Sequence, residues 1–292
     1  MKKILLFGCG GQVGGALRAR LSHDYELLAV DVEQVNLTKP DQIQQIIKQE
    51  TPDLIINAAA YTAVDQAEQD KEVCFAVNAQ APKVMAEQAH RQGAAMIHYS
   101  TDYVYDGTKG SPYTEDDATN PLGVYGESKL QGDQAVLNSG AGALIFRTSW
   151  VYGATGKNFY LTMCKLLQER DELSVVNDQF GTPTLATAIA DASTEIINQS
   201  ANDMPGFFKQ NRGLYNMTCG GETSWYGFTA EIASTLQAPG VKLAEFKPIP
   251  TNAYPTPAKR PENTVLSNQK LLDTFSVALP EWKQALKSIS AN

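Results

Sequence analysis

The sequence predicts an α/β fold: a doubly wound parallel sheet with a smaller, discontinuous C-terminal lobe. Three observations carry that expectation. Short apolar runs alternate with longer mixed segments through the first half of the chain. The runs are apolar throughout, the pattern of parallel strands covered on both faces. A glycine-rich turn, Gly8-Cys9-Gly10-Gly11-Gln12-Val13-Gly14, follows the first run directly and opens a helical stretch.

The elements follow in order. Residues 4–7 read as a buried strand and 14–21 as a helix. Residues 27–30 are a second strand, ending on Asp31. A helix over 41–49 starts behind Pro40, a residue suited to a first helical turn. Residues 54–58 form a third strand, 73–92 a long helix, 96–99 a fourth strand, 125–137 a helix and 144–146 a fifth strand. Further on, 159–168, 186–197 and 225–236 read as helices and 213–217 as a strand. Residues 248–261 (PIPTNAYPTPAKRP) are rich in proline, which excludes a regular helix or a central strand. They read as a rigid loop within the second lobe. The expected division is 1–153 plus about 182–219 for the sheet domain, and about 154–181 plus 220–292 for the lobe.

Composition narrows the function classes. With 43% hydrophobic and 19% charged residues, the 292-residue chain is ordinary globular material. The formal net charge is −8 and no Lys/Arg run appears, which argues against nucleic-acid or anionic-membrane partners. Cys9, Cys74, Cys164 and Cys219 form no short-spaced pair, so neither a disulfide framework nor a zinc knuckle is indicated. Only three histidines, His23, His90 and His98, are present, and no metal site is expected. The N-terminal apolar run is too short for a signal peptide and no stretch reaches transmembrane length, so a cytoplasmic protein is expected.

The glycine turn predicts a dinucleotide site of the Rossmann type. Glycines 8, 11 and 14 let the backbone turn tightly and approach a pyrophosphate, and the helix start offers free N–H groups. Asp31 lies about 20 residues further on, where a carboxylate accepts from a ribose diol. It would repel a 2′-phosphate and no Arg follows nearby, so NADH is slightly favoured over NADPH. The small residues from Asn57 to Ala60 would let a dinucleotide lie across the sheet edge, or simply pack under a helix.

Tyr125 and Lys129 sit four residues apart in a predicted helix and so share a face. A phenol with a pKa near ~10 is a sluggish acid, and a neighbouring ammonium favours its anion; lowering the pKa by ~3 units corresponds to ~4 kcal/mol. Tyr125 is thereby a candidate general acid for a carbonyl oxygen receiving a hydride. A second YxxxK match, Tyr105 to Lys109, contains Gly107 and precedes Pro112, so it reads as a loop. Thr101 and Asp102 close the fourth strand, at the end where α/β sheets bind ligands. Thr101 would donate to a substrate carbonyl and Asp102 would hold a sugar hydroxyl, although both types also cap helices and turns.

These motifs resemble the extended short-chain dehydrogenase/reductases. The runs HYSTDYVYDG, NPLGVYGESKLQGD, IFRTSWVYG, VNDQFGTPT and AYPTPAKRPENTVL are similar to the dTDP-4-dehydrorhamnose reductase family, from residue 3 to about 285. The resemblance implies NAD(P)H-dependent reduction of a dTDP-sugar ketone. It implies pyrophosphate contacts from Gly11, Gln12 and Val13, a ribose contact from Asp31, and further cofactor contacts from Ala60, Tyr61 and Thr62. Tyr125 would donate the proton and Lys129 would also bind the nicotinamide ribose. Thr101, Asp102 and Trp150 would line the sugar pocket, and Trp225 and Arg260 would hold the nucleotide diphosphate. Asn36-Leu37 stand where the family often has an acid. Gly15-Ala16 offer no acid for a metal-bridged dimer, which leaves a monomer or weak homodimer. Tyr103 after Asp102 argues against the sugar-nucleotide dehydratases. A nucleotide-sugar epimerase, or a regulatory subunit of the methionine adenosyltransferase β type, is the alternative.

Overall fold

Successive side chains along a strand leave opposite faces of a sheet, and the apolar core divides accordingly. In the computed structural model, which describes residues 1–240 and 242–290, β1 (Lys3–Phe7) sends Ile4 and Leu6 into one hydrophobic cluster and Leu5 and Phe7 into the other. The same alternation runs through β3 (Leu54–Asn57), β4 (Ala95–Thr101) and β5 (Gly142–Thr148), which are buried along almost their whole length. With β2 (Glu26–Val30) and a late strand, Gly213–Asn216, they form one six-stranded parallel sheet. Its order is Gly213–Asn216, β5, β4, β3, β1, β2. The chain reverses its direction of travel across the sheet between β1 and β3, and the carboxyl ends there open a crevice.

The helices cover both faces. α1 (Gln12–Leu21) and α2 (Pro40–Glu50) begin within two residues of their expected starts. The expected helix over 73–92 is present but interrupted: α3 (Lys71–Phe75) passes into a π-helical turn, Ala76–Gln80, before α4 (Ala81–Gln92). The widened turn buries Asn78, whose Oδ1 accepts from Tyr61 N at 2.8 Å and whose Nδ2 donates to Tyr61 O at 3.1 Å. One side chain thus clamps the loop after β3. Periodicity does not reveal such an insertion, because the apolar spacing resumes beyond it. α5 (Val124–Asn138) follows, and later Phe159–Glu169, Ala186–Gln199 and Trp225–Leu236 match their expected helices closely.

Sequence reading missed a small parallel pair, Glu172–Val176 with Glu245–Ile249. Pro248 lies in the second of these, which has one strand neighbour, so the missing proline N–H leaves no ladder bond unmade. The rest of 248–261 is loop with a single 3-10 turn, Thr251–Ala253.

One contact sets how closely α1 sits on β1. A Cβ at Gly14 would stand 2.0 Å from the Gly8 carbonyl oxygen. Overpacking of this kind costs about 1–3 kcal/mol. Gly14→Ala is therefore expected to lower the melting temperature and to weaken dinucleotide binding about tenfold or more. Isothermal titration with NADH checks this, and unchanged affinity would count against the turn as the cofactor cradle.

Candidate active site

A cleft of about 440 Å³ runs from the glycine turn to Tyr125 and Lys129. Gly8, Gly11, Gln12 and Val13 line it, with Asp31 held against the turn by Gly10 N, and Ala60 and Thr62 line it as well. The α1 N-terminus has no side-chain cap and no acid in its first turn, so its N–H groups and dipole are free for an anion. Gly14 does not line the cleft; its part is the close packing described above. Asp31 sits where the cleft meets a mainly apolar hollow of about 280 Å³, lined by Val30, Val32, Asn36, Leu37, Tyr61 and Val73 among others. The carboxylate accepts from Gly10 N at 2.6 Å and Val32 N at 2.8 Å. Among the described residues, no Lys or Arg lines that hollow. Thr148 also lines the cleft, and its Oγ1 is buried without a hydrogen-bond partner among the described residues. An anion cradle, an apolar slot beside a carboxylate and an unpartnered hydroxyl together fit a nicotinamide dinucleotide.

α5 places Tyr125 and Lys129 on one face, both lining the cleft. Burial pushes the Tyr125 phenol above its ordinary pKa, with the Thr101 hydroxyl pulling the other way. The expected net lowering of this pKa is not met, because burial is the larger influence on the phenol; the Lys129 ammonium itself donates to Tyr99 O at 2.6 Å. A phenol that stays protonated is still the right form for a proton donor. Burial also brings Lys129 down to about 8, with Asp133 and Cys74 pulling upward. Thr101 Oγ1 donates to Asp102 Oδ1 at 3.0 Å and accepts from Tyr103 N at 3.2 Å. Asp102 is buried, which lifts it to about 6, partly offset by the nearby hydroxyls of Thr264 and Thr101. Its Oδ2 has no hydrogen-bond partner among the described residues.

The remaining expected residues cluster elsewhere. Trp150 and Trp225 stack face to face, with ring centroids 3.5 Å apart and planes 7° from parallel. Trp150 has a left-handed φ of 45°, and a Cβ at Gly181 would collide with its ring at 2.5 Å. Thr148 and Val151, flanking Trp150 in the chain, line the cofactor cleft. Trp225 lines a second cleft of about 470 Å³ with Arg260, Gln179 and Met163. Through the stacked pair, the segment that lines the cofactor cleft touches a wall residue of the second. The Arg260 guanidinium is not free for a diphosphate: Nη2 meets Asp65 Oδ2 at 2.8 Å and Nη1 meets Asp65 Oδ1 at 3.1 Å. Ala258 N donates to the same carboxylate. A carboxylate satisfies the guanidinium fork as a diphosphate would, so a ligand there must compete with Asp65.

Several residues of the site escaped sequence reading. Lys157 lines the cofactor cleft, and Asn158 reaches Gln12 Oε1 at 2.9 Å while capping the helix at Phe159. Neither carried a sequence signal. Asp133, by contrast, repeats the four-residue step from Tyr125 through Lys129, which was visible. The loop reading of the second YxxxK match is correct. Lys109 Nζ pairs with Asp117 at 2.6 Å and Tyr105 OH donates to Thr114 O.

Fold and site together define a nicotinamide-dependent oxidoreductase of the short-chain dehydrogenase/reductase type. The family described as RmlD substrate binding domain matches residues 1–292, and the chain belongs to it. It is 44% identical to a dTDP-4-dehydrorhamnose reductase of Burkholderia thailandensis, covering 97% of this chain and 96% of that one. A solved dTDP-4-dehydrorhamnose reductase from Clostridium acetobutylicum superposes with a TM-score of 0.89 at 36% identity, covering 98% of each chain. Another from Bacillus anthracis, in complex with NADP, also gives 0.89, at 31% identity, covering 99% of this chain and 98% of that one. Among the described residues no helix is long and apolar enough to cross a membrane, and no group of three or more His, Cys, Asp or Glu could hold a metal ion.

Proposed function

We propose that this chain reduces the C4 ketone of dTDP-4-dehydrorhamnose to dTDP-L-rhamnose with NADH or NADPH, supplying cell-surface polysaccharide synthesis. The observation that carries the reading is a single cleft holding both the glycine turn and the Tyr125–Lys129 pair. Gly8, Gly11, Gln12 and Val13 hold the cofactor pyrophosphate, with Gly14 keeping α1 close beneath. Asp31 takes the adenosine ribose, and Ala60, Tyr61 and Thr62 border the cofactor further along. The absence of a lining Lys or Arg beside Asp31 supports NADH as the slightly preferred donor. When bound, the dihydronicotinamide supplies the hydride.

The chain's own residues do the rest. Thr101 orients the substrate carbonyl, and Tyr125 delivers its phenolic proton to the developing oxyanion. Lys129 stabilises the phenolate left behind and binds the nicotinamide ribose. Asp102 holds a sugar hydroxyl. Trp150 borders the sugar, and Trp225 and Arg260 hold the nucleotide diphosphate once Asp65 gives way. The sheet domain (1–153 plus about 182–219) binds the cofactor, and the lobe (about 154–181 plus 220–290, with the last two residues outside the described ones) binds the nucleotide sugar. The protein is cytoplasmic and a monomer or weak homodimer. The intact Thr101, Tyr125 and Lys129 favour an enzyme over a regulatory subunit.

The test is the near-ultraviolet absorbance of NADH, then of NADPH, with purified protein and the dTDP-4-dehydro sugar. Protein-dependent decay is expected with both. No decay with either, despite cofactor binding, would replace the reductase with the epimerase or regulatory reading.

A further inference from the structure

α5 carries a third residue in the Tyr125–Lys129 register. Asp133 lies four positions past Lys129 and is wholly buried. Its Oδ2 accepts from Arg147 Nε at 3.2 Å, and Arg147 Nη1 also donates to Tyr105 OH at 2.9 Å. Its Oδ1 makes no hydrogen bond among the described residues. His98 Nε2 stands 3.8 Å from it, and the Ser100 hydroxyl lies beside the carboxylate. A buried carboxylate oxygen left bare is costly. Pairing with Arg147 alone does not account for it.

The neighbouring imidazole has one allowed tautomer. Ala59 N, which can only donate, lies 3.2 Å from Asn57 Oδ1. That orients the Asn57 amide, so its Nδ2 faces His98 Nδ1 at 3.1 Å. An amide nitrogen donates, so Nδ1 must accept and the ring proton sits on Nε2. Nε2 stands 3.4 Å from Lys129 Nζ. Burial, reinforced by the Lys129 charge, keeps the ring neutral. A neutral ring with its hydrogen on Nε2 cannot accept from the Lys129 ammonium, and Asp133 Oδ1, 3.8 Å away, is beyond hydrogen-bond length.

We propose that Asp133 is a positioning residue for the reduction, the buried counter-charge across His98 from the Lys129 ammonium, which Tyr99 O holds on the Tyr125 face of α5. The chain from Ala59 through Asn57 and His98 links it to the loop that lines the cofactor cleft. The groups facing Lys129 are Asp133 and Tyr125 on its own helix, His98 on β4 and Cys74 on α3, with Arg147 of β5 behind Asp133. Burial keeps the Cys74 thiol protonated and His98 is neutral, so the compensating negative charge is that of Asp133. Burial opposes its ionisation, while Arg147 and Lys129 favour it. This inference rests on the proposed roles of Tyr125 and Lys129.

The test is the pH profile of kcat for sugar reduction in wild type, Asp133→Glu and Asp133→Asn. The wild-type alkaline limb should fall near the Lys129 value of about 8. Asp133→Asn removes the charge that raises this value, so its limb should move about one unit towards acid, with about a fivefold loss at the wild-type midpoint. Asp133→Glu should restore the wild-type limb. A purely structural Asp133 would lower thermal stability and leave the limb in place, which overturns the proposal. If Asp133→Asn fails to fold around an unpaired Arg147, the double variant Asp133→Leu/Arg147→Met removes both charges. Measured against Arg147→Met alone, its limb must still move towards acid, and an unmoved limb overturns the proposal equally. Nitrogen NMR of His98 should show Nδ1 bare of hydrogen across the same range; a protonated Nδ1 removes the tautomer argument. Turnover that survives Tyr125→Phe or Lys129→Met would instead sink the parent reading, so the two failures are distinguishable.

Discussion

Tyr125→Phe is expected to lower kcat by about 10²–10⁴, the usual worth of a positioned general acid, while NADH affinity stays within about twofold. The substitution removes one oxygen and little volume. Tyr125 is no part of the glycine turn that cradles the pyrophosphate, and its ring packs edge-on against Tyr103 with centroids 5.8 Å apart. Phenylalanine keeps that contact. What goes is the proton that the phenol offers to the cleft and the influence of the Thr101 hydroxyl on it. Stopped-flow with saturating cofactor separates binding from turnover. A variant that binds and turns over normally would leave this cleft without its acid.

Asp102→Asn is expected to cut sugar reduction and stabilise the protein at the same time. The buried carboxyl titrates near 6 in the folded protein and near ~4 when unfolded. Between those values the folded state binds more protons than the unfolded one. The stability that this group contributes is therefore full below about pH 4 and is lost as pH rises through about 6. Two units correspond to at most about 3 kcal/mol. Asparagine keeps the volume and an oxygen that can accept from Thr101, but carries no charge. Its melting temperature should exceed wild type by a few degrees at pH 8 and match it at pH 4, as differential scanning calorimetry would show. Activity should fall about 10–100-fold, the worth of a charged hydrogen bond to a sugar hydroxyl. An identical difference at both pH values would mean that Asp102 is not the titrating group.

Much of the sheet was legible because its strands are local. Strands of four to seven residues built on short apolar runs can be buried on both faces, and each begins and ends within a few residues of its expected position. The glycine turn was legible for the same reason, since spacing along one turn and one helix start determines which N–H groups are free. Tyr125 and Lys129 needed only helical periodicity. The π turn at Ala76–Gln80 was not legible, because one extra residue leaves the apolar spacing on either side intact. The paired strands Glu172–Val176 and Glu245–Ile249 were missed because each makes sense only beside the other.

By itself, then, the sequence determined which elements form, where an anion can be cradled and which helix face carries a phenol beside an amine. All of these depend on neighbours within about one helical turn or one strand. Only the tertiary structure decided what each charged group meets. It paired Arg260 with Asp65, at a separation of 195 residues, and stacked Trp150 on Trp225. It turned Lys129 towards Tyr99 O and set Asp133 against Arg147 and His98. The physical reason is that ionisation and side-chain direction follow burial and partners brought in from distant parts of the chain, and local spacing does not specify those.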